Sequence, residues 1–137
     1  MEEACRLLKA ARTCIGTPFQ LGGNSRHKGL DCIGLVVLAL AEAGRPVGPL
    51  PSYRLRQAST AGFAAVIARA GLVAAQGSVR AGDILLLRPS PSQLHLAIAA
   101  DEATIIHAHA GLRRVVAGPR PAGWPVLHHW RLAANGD

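Results

Sequence analysis

One segment constrains this chain more than any other: from Cys32 to Ala41 every residue is apolar or glycine, Glu42 is the first charge, and Gly44 and Pro46 close the run. Composition and length suit a helix, and a helix that is apolar on every side is stable in water only when other elements cover it. Asp31, just ahead, carries the kind of side chain that accepts the orphan N–H groups of a first helical turn, and it is read as the N-cap. The chain must therefore build its fold around a buried helix over Cys32 to Ala43. That helix begins with a thiol, where backbone N–H groups and the helix dipole favour the thiolate. A lowered thiol pKa is accordingly expected at Cys32.

Ala4, Leu7, Leu8, Ala11 and Ile15 recur at helical spacing, so a first helix is expected over Glu3 to Cys14, stopped by Gly16-Thr17-Pro18. Gly16 to Leu30, with Gly22-Gly23-Asn24-Ser25 at its centre, reads as a surface loop. Val47 to Gln57 reads as an irregular crossing, and Thr60 to Ala70 as a helix closed by Gly71. The period then changes. Asp83 to Arg88, Leu94 to Ala100, Thr104 to His109, Arg113 to Ala117 and Val126 to Leu132 have strand length and are parted by Gly, Pro, Ser or Asp-Glu turns. Helices first and strands afterwards give an α+β class, with the N-terminal helices on one side of an antiparallel sheet of about five strands. The 137 residues are expected to form a single domain with a frayed Asn135-Gly136-Asp137.

Fifteen Lys and Arg stand against eight Asp and Glu, a formal charge of +7 that favours an anionic partner: nucleic acid, a membrane surface or an acidic wall polymer. The basic residues are scattered, and the two Trp, one Tyr and two Phe do not interleave with them as a base-stacking platform requires. Nucleic acid is therefore not expected as the primary ligand. Arg54, Arg56, Arg113 and Arg114 are read as a solvated surface. The longest apolar run is too short for a membrane span, and Met1 to Arg6 lacks the features of a secretory signal, so synthesis in the cytoplasm without a signal peptide is expected.

Three cysteines, Cys5, Cys14 and Cys32, give no disulfide framework. Cys5 and Cys14 belong to the opening helix and are read as structural. A nucleophilic cysteine needs a base, and the base needs a group that fixes its tautomer. His95 stands near a strand start after the loop Pro89 to Gln93; His107 lies on the next strand. A turn centred on Asp101 would set the two nearly opposite each other, close enough for their imidazoles to meet. The competing readings are a cysteine that packs as a small hydrophobe and a satisfied histidine pair within a sheet. No His-Glu-Xaa-Xaa-His or paired-Cys spacing is present, so neither a metal nor a cofactor is expected. Among the other ionisable residues, His27 and His109 are read as exposed or substrate-adjacent, and Asp83 as a turn residue leading its strand.

Gly16-Thr17-Pro18-Phe19, Gly22-Gly23, Gly29-Leu30-Asp31-Cys32-Ile33-Gly34-Leu35-Val36, Gly82-Asp83-Ile84-Leu85, His95-Leu96-Ala97-Ile98 and Ile106-His107-Ala108 occur in this order. In that order they resemble the NlpC-type cell-wall cysteine peptidases, over about Ala10 to Ala110. The resemblance implies a papain-like fold. It implies Cys32 as nucleophile, His95 as general base and His107 as the polar third member. It also implies a peptidase acting on peptidoglycan stem peptides at a D-γ-glutamyl-diaminopimelate bond. Two positions depart from the pattern. Phe19 replaces a tyrosine whose hydroxyl assists the oxyanion, which leaves Gln20 as a substitute donor if its loop turns inward, and Ile33 replaces a serine. With the trailing His129-Trp130-Arg131 strand, Ile33 is similar to the branch found in phage tails and gene transfer agents, which implies phage-like tail partners and action in the cell wall from a virion. Two alternatives accompany the peptidase: a tail-assembly or adaptor module of the same fold with little or no activity, and an amidase or acyltransferase that uses the same dyad.

Overall fold

A computed structural model of the chain describes residues 2–48 and 60–133. The crossing expected over Val47 to Gln57 lies outside the described residues from position 49 onward, as does the C-terminal Asn135 to Asp137. The elements run α1 (Glu2–Thr13), β1 (Asn24–Ser25), β2 (Gly29–Leu30), α2 (Cys32–Glu42), α3 (Thr60–Ala70), β3 (Leu72–Ala74), β4 (Ile84–Ser90), β5 (Gln93–Ala99), β6 (Thr104–His109), β7 (Arg114–Pro119) and β8 (Val126–Leu132).

Helix α2 is the buried rod of the fold. Its residues Cys32 to Val36, with Ala39 and Leu40, are all buried, and it packs on α1 to one side and on β5 and β6 to the other. Asp31 caps it, Oδ1 accepting the N–H of Gly34 at 2.8 Å. The other carboxylate oxygen accepts the N–H of Gly22 at 2.7 Å, so one buried side chain fixes both the helix start and the loop before it. That loop is not wholly irregular, because β1 and β2 pair antiparallel as Asn24↔Leu30 and Ser25↔Gly29.

Six strands form the main sheet, in the order β3-β8-β4-β5-β6-β7, every neighbour antiparallel. The strand absent from the sequence reading is β3, three residues that pair Leu72↔Leu132, Val73↔Arg131 and Ala74↔Trp130. A segment this short shows no alternation of its own. The expected loop Pro89 to Gln93 is shorter than anticipated: β4 continues to Ser90, which pairs with Gln93, leaving Pro91-Ser92 as the turn.

The two faces of the sheet bury different sets. Ile84, Leu86, Leu96, Ile98, Ile106 and Ala108 join Leu7, Leu35, Leu40 and Phe63 from the helices in the main core. The alternate residues Leu85, Leu87, Ala97, Ala99 and Ile105 form a second cluster, against which Val79, Trp124 and Val126 pack. The helices thus lie on one side of the sheet.

Asp83 is more than a turn residue. Only 1% of its side chain is exposed, and its two oxygens accept Nε and an Nη of Arg131 at 2.8 Å each. Oδ2 also accepts the Arg80 N–H at 2.9 Å and lies 3.3 Å from Nε2 of His129. A carboxylate so far from water needs this fork of charged donors. Arg45 plays a comparable role for the helices: it pairs with both oxygens of Glu3 on α1 and donates to the carbonyls of Ala70 and Ala133.

Candidate active site

Strand β5 pairs with β6 at Ile98↔Ile106 and Ala99↔Ile105. Beyond the first of these pairs, a cavity opens over the start of β5 and the end of β6, lined by Cys32, His95, His109, Phe19, Leu94 and Trp124 among others. The backbone N–H groups of Leu96, Ile33 and Cys32 itself are near enough to the Cys32 sulfur to favour its thiolate. The helix thus delivers its first residue to the cavity wall.

Both pairs average to position 102, one residue later than the turn centre expected from sequence. His95 and His107 are therefore diagonal neighbours on one face rather than directly opposed. The diagonal is still short enough for side-chain contact. Nε2 of His95 lies 2.9 Å from Nδ1 of His107, the rings standing edge to face at 79°. One of these nitrogens must carry the shared proton. When His95 donates through Nε2–H, its Nδ1 keeps the lone pair, the state a base facing a thiol requires.

The electrostatics differ from the sequence expectation. Cys32 is 3% exposed, and burial pushes its thiol up to about 12 in spite of the three N–H groups around it. Desolvation of the charged form outweighs the helix start. Burial, then the proximity of His107 and His109, brings His95 down to about 3. Burial and His109 bring His107 down to about 4. Burial thus favours the neutral thiol and the neutral imidazoles over an ion pair.

Phe19 stands in the cavity wall. Gln20 does not: it is exposed, and its side chain lies over Gly29, where an added Cβ would meet Gln20 Cβ at 2.5 Å. The loop turns this amide away from the thiol. Asp31 is fully buried beneath the cavity in its capping role. Cys5, Cys14 and Cys32 are all free, Cys14 buried and Cys5 exposed. Among the described residues no three His, Cys, Asp or Glu side chains are disposed to share a metal ion.

Trp124, in the turn before the last strand, was not singled out from the sequence. Its indole stands edge-on to His95 and His107, both at 5.5 Å between centroids, and 6.0 Å from His109. The available signal was a lone tryptophan inside a turn of a chain poor in aromatics, a costly residue to place there without a partner. It covers the imidazole pair and contributes to keeping it dry.

With this geometry in view, the chain was compared with known proteins. It is similar in structure to the NlpC/p60 domain of the peptidoglycan hydrolase SagA, at 27% identity and a TM-score of 0.59 over 85% of this chain and 88% of that one. It is also similar to the peptidoglycan hydrolase RipB from Mycobacterium tuberculosis, at 22% identity and a TM-score of 0.63 over 96% of this chain and 65% of that one. NlpC2 from Trichomonas vaginalis shares the fold with a TM-score of 0.68 and 16% identity, over 96% of this chain and 46% of that one. The chain thus spans under half the length of that relative. No match was found among curated proteins. Residues 16–125, from the Gly-Thr-Pro segment to the turn that carries Trp124, match the sequence model of the NlpC/P60 family, and the chain belongs to that family.

Proposed function

We propose that this chain is a cysteine peptidase that hydrolyses an amide bond in peptidoglycan stem peptides, of the D-γ-glutamyl-diaminopimelate type. The observation that carries the reading is the shared cavity of Cys32 and His95, with His95 bonded through Nε2 to His107 at 2.9 Å. Membership of the family and the likeness to the SagA domain support the substrate class.

Substrate binding brings the scissile carbonyl over Cys32, and Nδ1 of His95 takes the thiol proton as the sulfur attacks. The C=O π bond opens onto oxygen, and the resulting oxyanion is met by the backbone N–H of Cys32 at the start of α2. His107 accepts the Nε2–H of His95 and stabilises the imidazolium as it forms. The C–N bond then breaks, the leaving amine takes the proton from His95, and a thioester remains on Cys32. Water attacks the thioester with His95 again as base, releasing a carboxylate product and restoring the thiol.

Proton transfer concerted with attack suits a thiol at about 12 and a base at about 3, since neither group is charged beforehand. The test is digestion of purified sacculi with muropeptides analysed by mass spectrometry. New γ-glutamyl carboxyl ends are expected with the native chain and none with Cys32→Ala; equal digestion by both proteins would remove the assignment.

The same high thiol pKa, together with Phe19 in the cavity wall, favours a second reading, an adaptor of this fold with weak or no activity. An amidase or acyltransferase would show itself in the same assay by products other than a hydrolysed stem peptide. Work in a phage-like tail, with release from a virion, is a narrower version of the peptidase reading that rests on Ile33 and the last strand alone. In this fold Arg131 donates to both oxygens of Asp83, so that strand also has a structural part.

A further inference from the structure

His109 ends β6 on the same face as His107 and lines the cavity with Cys32 and His95. Its ring is not adjustable. Nδ1 accepts the backbone N–H of Leu112 at 3.1 Å, within the turn that Arg113 closes on the Ala110 carbonyl with a φ of 61°. Gly111 leaves room for the ring: a Cβ there would meet His109 Cε1 at 3.0 Å and Nδ1 at 3.3 Å. A neutral imidazole whose Nδ1 accepts must carry its proton on Nε2. That Nε2–H has no hydrogen-bond partner among the described residues and is not sealed from solvent. The cavity contains no Asp or Glu, and apart from Cys32 and His95 its polar groups on side chains are those of Gln93, His109 and the indole N–H of Trp124.

A donor held in one tautomer at the edge of an acid-free cavity suits an anionic oxygen acceptor. We propose that His109 is a substrate-binding residue whose Nε2–H donates to a carboxylate of the stem peptide beside the scissile amide, so that the site takes peptides with a free carboxylate there over the carboxamide forms. This inference deepens the peptidase reading and rests on it for the identity of the ligand.

Asn and Gln separate the two nitrogens of His109. His109→Asn places an amide oxygen where Nδ1 accepts from Leu112 and supplies nothing at Nε2; His109→Gln supplies an N–H near Nε2 and nothing to the turn. Affinity for a synthetic stem peptide, as the free acid and as the carboxamide, is measured by calorimetry on the Cys32→Ala protein and on its two His109 double variants, with cleavage by the native chain followed in parallel. The expected result is about tenfold weaker binding of the free acid with His109→Asn, near-parental binding with His109→Gln, and a parental preference for the acid that His109→Asn abolishes. The reverse order, a turn effect in which Gln weakens and Asn does not, overturns the proposal, and so does equal binding by all three proteins or no binding by the parent. Cleavage that persists alongside any of these three outcomes leaves the peptidase reading standing. His109-dependent binding without cleavage removes the peptidase and keeps the carboxylate site.

Discussion

His95 and His107 share one proton across 2.9 Å, and both are shielded by the edge of the same indole. In the proposed mechanism His107 holds a tautomer, so its loss should leave substrate binding intact and slow the chemical step. His107→Ala is expected to lower kcat about 100-fold with little change in KM, and His107→Asn, which keeps an acceptor, to recover part of it. Steady-state kinetics on a stem peptide checks both.

Neutral histidines make the protein acid-labile in a defined window. Free imidazoles in the unfolded chain titrate near 6.5, whereas the folded His107 and His95 are brought down to about 4 and about 3. Between these limits the unfolded state binds more protons, so stability rises with pH. The contribution is complete above 6.5 and lost as pH falls through 4 toward 3. Thermal melts over that range should fall steadily for the native chain and more gently for a His95→Gln/His107→Gln protein. The same shielding should carry the acid limb of kcat/KM below that of an ordinary histidine, and Trp124→Ala, which admits water, should move it back up.

A thiol pushed up to about 12 reacts slowly at rest. Alkylation of Cys32 by iodoacetamide, followed by mass spectrometry, should be negligible at pH 6 and still climbing at pH 10. A rate that is already flat by pH 7 would mean an ion pair that the resting geometry does not contain.

Gly34 sits where the loop before α2 crosses the helix's first turn: a Cβ there would lie 1.9 Å from the carbonyl oxygen of Gly23. That atom belongs to backbone and cannot swing away. Gly34→Ala should cost about 2–3 kcal/mol in denaturant unfolding and reduce activity by displacing Cys32.

Removing one partner of the buried Asp83–Arg131 pair is worse than weakening it. Arg131→Met leaves the Asp83 carboxylate, 1% exposed, without its fork of donors, and should cost about 3 kcal/mol. Asp83→Asn keeps acceptor capacity and should cost less, roughly 1–2 kcal/mol. Chemical denaturation of both variants tests the order.

Local patterns carried much of this structure. The apolar run after Asp31 yields α2 with its cap, and the change of period after Gly71 yields the antiparallel strands, because both depend on neighbours in sequence. Features that depend on distant packing were not legible. Counting from Asp101 misplaced the turn centre by one residue and so the β5–β6 partners by two, since a turn's composition does not fix which of its residues is central. Asp83 resembled a turn residue until Arg131, far along the chain, closed on it. Nothing near Cys32 announces that burial will outweigh the helix start, because the atoms that exclude water come from β5 and β6. Gln20 followed the backbone of its loop and not the need for a donor.

The stretch from Gly16 to Gln20 has a further consequence. It exchanges hydrogen bonds with Arg113 and Val115 on one side, at 2.8 to 2.9 Å, and with Leu30 on the other, at 2.9 and 3.1 Å. A single strap of main chain therefore ties the approach to α2 to the strand that follows the His109 turn. Cys32 and the imidazoles cannot separate like jaws without tearing that strap. The spacing between the two walls is thus set by backbone amides, while the side chains that line the cavity only trim it.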